Sequence, residues 1–142
     1  MRKSFVWAGS LTLAAIVIVA AGCASTPPPL PPARTVQAGD LAGLAGDWQG
    51  TVRGVVGAAS GPATGRRANL RVTVAPDGSF TSNIDGVPGV GKARIADGKI
   101  LFEGSSSRGT ATLHEGDGRR VIAGQGTWIG FPGESAFEIT KR

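Results

Sequence analysis

The sequence predicts an all-β domain, an antiparallel meander of about eight short strands that forms either a small up-and-down barrel or a sandwich. From residue 47 onward, apolar residues recur at every second position, as they do in strands with one buried face. Glycine-bearing turns separate these runs at intervals of roughly 8–12 residues, the spacing of small sandwiches and barrels. No segment after Ala45 keeps a helical period.

The strands follow one another with short turns between them. Trp48 and Val52 open the first strand, and Asp97-Gly98 is a strong two-residue hairpin signal. The predicted strands span 47–56, 67–75, 79–85, 90–96, 98–104, 109–114, 119–126 and 134–141. Before the first strand, Asp40 is expected to cap a helical turn over 41–45, which Gly46 ends.

The composition excludes several kinds of site. The chain has 142 residues with one cysteine and one histidine, too few for a disulfide, a cysteine zinc cluster or a two-histidine metal site. We therefore expect no metal and no cofactor. Many of the 23 glycines fall at turns, and others fall inside strands, where a small closed sheet needs bends or close packing.

The N-terminus has the order of an export signal. Arg2 and Lys3 precede an apolar stretch over 5–21, and the small residues Ala20, Ala21 and Gly22 come directly before Cys23. This segment resembles a bacterial lipoprotein signal peptide with its lipobox. The resemblance implies cleavage between Gly22 and Cys23, a diacylglycerol thioether on Cys23, and acylation of the new amino terminus by a fatty acid such as palmitate. The alternatives are a transmembrane anchor or an incidental thiol beside an ordinary signal peptide.

These features divide the chain into three parts. We expect a signal peptide over 1–22, the lipidated Cys23 with a proline-rich linker over 23–39, and a periplasmic β domain over 40–142. Five prolines between 27 and 32 favour polyproline II, which suits a stalk and is also the form of ligands for proline-binding domains. Ala24 resembles the residue found in lipoproteins exported to the outer membrane, so we expect anchoring there, facing the periplasm.

A second resemblance lies in the folded part. Gly46-Asp47-Trp48, at the start of the first strand, resembles the Gly-x-Trp opening of calycin barrels such as lipocalins and avidins. The resemblance implies that Trp48 plugs one end of a barrel and that a basic residue of the last strand, Lys141 or Arg142, covers it. In size the domain is similar to a small periplasmic protease-inhibitor barrel.

We do not expect an enzyme. His114 beside Glu115 is the one candidate base, but no Gly-x-Ser-x-Gly elbow is present, and Cys23 belongs to the predicted lipobox. Asp77, Asp97 and Asp117 all precede glycine in turns, where local hydrogen bonding accounts for them.

The charge is positive and unevenly distributed. The net charge of +5 becomes +3 when Arg2 and Lys3 leave with the signal. The candidate residues for binding an anionic surface are Arg66, Arg67, Arg71, Arg119 and Arg120. The simpler interpretation is that these are solvated strand ends. Nucleic acid is not an expected partner, because of the compartment and the few aromatic residues left for stacking.

Three functions are consistent with the sequence. The first is a lipid-anchored, non-catalytic β domain that binds an envelope protein, lipopolysaccharide or peptidoglycan, or gives structural support, at the outer membrane. The second is an inhibitor of a hydrolase, with a protruding loop at 57–66 or at 124–133, the latter carrying Trp128 and Phe131. The third is a carrier of a small apolar ligand, whose cavity would be lined by Trp48, Phe80, Ile100 and Phe102.

Overall fold

The computed structural model describes residues 27–54, 67–129 and 131–142, without the side chains of 131 and 132. The predicted signal and lipidation site at Gly22 and Cys23, together with Arg66 and the loop 57–66, therefore lie outside the described residues. Among the described residues, no helix is long and apolar enough to cross a bilayer.

The domain is an all-β closed barrel of eight antiparallel strands with one short additional strand. Two short 3₁₀ helices, Ala38–Asp40 and Ala42–Leu44, precede the barrel. The strands are β1 (Ala33–Arg34), β2 (Gly46–Gly54), β3 (Arg67–Val74), β4 (Ser79–Ile84), β5 (Val87–Ala96), β6 (Lys99–Gly104), β7 (Ser107–Gly116), β8 (Arg119–Trp128) and β9 (Phe131–Lys141). Strands β2 to β9 pair in chain order, and β9 closes the ring on β2.

The fold prediction is confirmed, and the barrel is the correct one of its two forms. Each of the eight predicted strands corresponds to one of β2 to β9, with ends that differ by up to three residues among the described positions. The β5, β7 and β9 strands begin earlier than predicted because backbone pairing starts before the first alternating apolar residue of each strand. Pro88, for example, still stands opposite Asn83.

The barrel has two different ends. The Trp48 end holds the turns at 75–78, 97–98 and 117–118 and the segment before β2. The far end holds the turns at 85–86 and 105–106 and the last residues of β2 and β8. An eight-residue strand such as β3 is about 26 Å long, and strands in a closed barrel tilt by about 35–45° from its axis, so the two ends are about 20 Å apart.

The segment before β2 differs from its prediction. Asp40 does not cap a helical turn over 41–45. Instead, its carboxylate accepts a hydrogen bond of 2.8 Å from the backbone N–H of Gln37 and so closes the first 3₁₀ helix. Leu41 precedes the second 3₁₀ helix without a side-chain cap.

Contacts with the barrel begin before residue 40, within the segment predicted as a linker. Strand β1 pairs with the end of β7, with Ala33 opposite His114. Val36 is 1% exposed and belongs to the apolar core. The Pro32 carbonyl accepts a hydrogen bond from Glu115 at 3.1 Å. Thus part of the proline-rich segment lies against the barrel and is not free linker.

The barrel interior is packed tightly with apolar side chains and glycine. Leu70, Leu113, Ile139 and Trp48 are among the fully or nearly fully buried residues. A Cβ on Gly50 would overlap the carbonyl oxygen of Glu138 on the neighbouring strand, so this position accepts only glycine. The glycines within strands therefore belong to a compact barrel.

Candidate functional site

The interior leaves little room for a ligand. It encloses a cavity of about 70 Å³, whose lining includes Phe80, Ile100 and Phe102. Pockets for small molecules usually measure about 300–1,000 Å³. Trp48 lies outside that lining, at one end of the barrel. The interior is therefore a packed core.

Three aromatic rings fill the interior towards the far end. The Trp128 ring lies 5.4 Å from Phe102 and 5.3 Å from Phe137, centroid to centroid. These are the separations of favourable tilted and edge-on aromatic pairs. Trp128 is 7% exposed, so it does not project from a loop over 124–133 as the inhibitor hypothesis requires. Ile129 beside it is 72% exposed, and the side chain of Phe131 lies outside the described residues.

The Trp48 end is closed by the chain itself. The buried Trp48 Nε1 donates a hydrogen bond of 2.9 Å to the Leu44 carbonyl, which holds the second 3₁₀ helix over the barrel. The Lys141 ammonium lies 5.7 Å from the centroid of the Trp48 ring, within range of a cation–π contact. Of the two basic residues suggested by the calycin resemblance, Lys141 is thus the one beside Trp48. The Arg142 N–H donates to the Asp47 carbonyl instead.

Arg119 and Arg120 belong to this closure. Arg120 Nη1 donates a hydrogen bond of 2.9 Å to the Gly43 carbonyl, and its Cζ lies 6.0 Å from the Trp48 ring. Its Nε lies 3.2 Å from Glu115 Oε1, an ion pair without the angle of a hydrogen bond. Arg119 Nη1 lies 3.4 Å from the Pro29 carbonyl. Both arginines therefore have partners in their own chain.

Glu115 also joins the N-terminal segment to the barrel. Arg34 Nη1 donates to Glu115 Oε2 at 2.6 Å, and Arg34 Nη2 donates to Asp40 at 3.2 Å. The hydrogen bond to Glu115, followed by the charges of Asp40 and Glu115, raises the pKa of Arg34. His114 points away from this network and donates from Nδ1 to the Pro31 carbonyl at 2.9 Å. His114 and Glu115 are thus on opposite faces of β7 and do not form an acid–base pair.

Arg67 and Arg71 lie elsewhere. Both are exposed on the outer face of β3, and Arg67 is at the far end. Since β8 begins at the Trp48 end and β3 begins at the far end, the structure does not bring Arg119 and Arg120 to the same surface. It adds Arg53, which stands directly opposite Arg67 across β2 and β3. The sequence alternation of β2 indicated that Arg53 points outward, but its neighbour depends on strand register.

The described residues contain no group of three or more His, Cys, Asp or Glu side chains placed to hold a metal ion. Comparison with protein-family models, curated proteins and solved structures finds no match to the chain.

Proposed function

We propose that the chain is a lipid-anchored envelope protein, held at the outer membrane through Cys23, whose barrel is a non-catalytic module that binds or supports other envelope components through its outer surface. The observation that carries this proposal is that the N-terminal segment joins one end of the barrel and leaves the other end free of it. The N-terminal segment joins at the Trp48 end, which is closed, and the far end of the barrel points away from it.

The course of β1 supports this orientation. β1 runs antiparallel to β7, so residues before Ala33 come from beyond the end of β7 at Gly116. A Cβ on Gly116 would lie 3.2 Å from Pro32 and 3.5 Å from Pro31, which shows how closely this segment follows the barrel. The segment therefore approaches the barrel from the Trp48 side.

The distance to the bilayer is short under this proposal. Pro31 is buried and hydrogen-bonded to His114, so only the residues between Cys23 and Pro31 are available as spacer. The eight Cα–Cα steps from Cys23 to Pro31 span at most about 30 Å when the chain is fully extended. The Trp48 end would then face the anchoring leaflet, and the far end would lie about 20 Å further out.

The packed interior favours an outer-surface function over a carrier. A cavity of about 70 Å³ is too small for a fatty acid or a comparable ligand. We expect the purified full chain to show no saturable binding of a fluorescent fatty acid at micromolar concentration. Saturable binding at one molecule per chain would contradict this part of the proposal.

The anchor is tested by substitution of its single attachment point. Cys23→Ser, expressed as the full chain in a bacterium that has an outer membrane, should lack the lipid mass and keep its uncleaved signal segment, both of which are read from the intact mass. Ser25→Ala is the matched control and should behave like the wild type. The same lipid mass on Cys23→Ser as on the wild type would overturn the proposal.

A further inference from the structure

One outer face of the barrel is rich in arginine and neutral polar groups. Outward positions alternate along each strand, and on β2, β3 and β4 most of them carry guanidinium, amide and hydroxyl groups. The exception is Asp47 towards the Trp48 end, whose carboxylate accepts a hydrogen bond of 2.7 Å from the Thr73 hydroxyl. We call the following set the basic face: Arg53, Arg67, Arg71, Gln49, Thr51, Asn69, Thr81 and Asn83. All three arginines are exposed.

The arginines of the basic face are grouped, and no carboxylate of the described residues forms an ion pair with them within 4 Å. Asp47 stands diagonal to Arg71, and Glu138 stands diagonal to Arg53, in the strand register. Arg53 and Arg67 are opposite each other in register, and Arg71 is on the same face about 13 Å along β3. Strands β3 and β4, both fully described, contain no acidic residue. The nearby Asp85 carboxylate accepts a hydrogen bond from the Asn69 N–H at 2.9 Å. The acidic Glu138 of β9 stands opposite Thr51.

This arrangement contrasts with the Trp48 end. Within the described ranges, the ion pairs closer than 4 Å are those of Arg34 with Asp40, Arg34 with Glu115 and Arg120 with Glu115. All three lie at the Trp48 end, where Arg34 and Arg120 already pair with carboxylates of the same chain. Like charges directly opposite in a sheet are unfavourable, so the Arg53 and Arg67 pair is best explained by an anionic ligand from outside the chain.

The chemistry of the basic face matches an anionic glycan. Guanidinium groups bind carboxylates in a bidentate manner, and amide and hydroxyl groups between them can pair with sugar hydroxyls. Single-stranded nucleic acid binding needs exposed aromatic rings. The aromatic side chains described here, Trp48, Phe80, Phe102, Trp128 and Phe137, belong to the core or pack against it.

We infer that the basic face binds a carboxylate-bearing glycan that lies beyond the anchoring bilayer, in the chemistry of cell-wall peptidoglycan. The location rests on the proposed function. If the N-terminal segment leads to the membrane, then Arg53 and Arg67 are at the end of the barrel farthest from the lipid head groups. In this orientation a polymer across the periplasm is closer to them than the anchoring leaflet is.

The test is co-sedimentation of the detergent-purified full chain with peptidoglycan sacculi. The double variant Arg53→Gln/Arg67→Gln should bind about fivefold more weakly, and added salt should weaken wild-type binding. Arg94→Gln, which removes the same type of charge from the exposed outer face of β5, should bind like the wild type. Sacculi whose carboxylates have been amidated should lose most of the binding.

Immobilised lipopolysaccharide is the second probe, because it presents phosphates of the anchoring membrane. Arginine-dependent capture by lipopolysaccharide without capture by sacculi would overturn the inference. So would binding to sacculi that is insensitive to salt and to the double variant. The assay uses detergent-purified protein, so a failure to bind sacculi would not contradict lipid anchoring through Cys23. An absence of lipid on Cys23 would likewise not change the measured binding to sacculi.

Discussion

Arg53 of β2 stands directly opposite Arg67 of β3, so two guanidinium groups share one cross-strand position on an exposed face. Opposed like charges in an antiparallel pair destabilise it by about 0.2–1 kcal/mol. A pair of this kind lowers the stability of the barrel unless a ligand neutralises it.

The stability of this pair can be measured. Arg53→Thr should raise the free energy of unfolding by roughly 0.2–1 kcal/mol in urea at low salt, because one of the two repelling charges is removed. Added salt should reduce the gain. Arg94→Thr, opposite the neutral Leu101, should change stability little. A loss of stability in Arg53→Thr would show that Arg53 has a stabilising partner in the free protein.

Gly50 is expected to be the position of the barrel least tolerant of a side chain. Gly50→Ala should lower the free energy of unfolding by at least about 2 kcal/mol, because the new methyl group overlaps the Glu138 carbonyl and forces the strands apart. Gly39→Ala is the control, since a Cβ there has no atom within 4 Å. Thermal unfolding of both variants would test this, and equal melting temperatures would contradict the close approach of β2 and β9.

The packing of the N-terminal segment is tested at Val36. Val36→Ala should lower the free energy of unfolding by about 1–3 kcal/mol, because Val36 is buried in the core beside the β5–β6 turn. Leu30→Ala, at a position 42% exposed, should stay within about 0.5 kcal/mol of the wild type. Equal effects of the two substitutions in denaturant unfolding would mean that residues before 40 are a free linker after all.

Asp77 makes the stability of the fold depend on pH. Its carboxylate accepts hydrogen bonds from the Ser79 hydroxyl and the Ser79 N–H, which lower the pKa of Asp77 below its usual value of 3.8. Asp77 therefore stabilises the fold above pH 3.8, and this contribution is lost as the pH falls through its lowered pKa. In Ser79→Ala the pKa should move back towards 3.8 in an NMR titration. An unchanged midpoint would show that the hydroxyl is not the main cause.

Most of the barrel could be predicted because its turns carry strong local signals. Asp97 and Asp117 both adopt positive φ before glycine, as two-residue hairpins between twisted strands require. Strand β1 could not be predicted, because its cause is elsewhere in the chain. The last residues of β7 extend beyond the first residues of β6, to which β7 is antiparallel. This leaves an open edge at Leu113 and His114, and Ala33–Arg34 covers that edge.

The candidate site was predicted only in part, for the same reason. Arg67 and Arg71 could be identified as exposed strand residues from their alternation. Their separation from Arg119 and Arg120 depends on which end of the barrel each strand begins at, and the partner Arg53 depends on register across β2 and β3. These are properties of the closed sheet and have no local signal.

Membrane anchoring through Cys23 is tested most directly by the mass of the N-terminal peptide. The protein is expressed in a bacterium that has an outer membrane and is purified from its membranes. The account predicts a peptide that begins at Cys23 and carries a diacylglyceryl thioether and an amide-linked acyl chain. A mature protein that begins at another residue, or one whose Cys23 is unmodified, would contradict it.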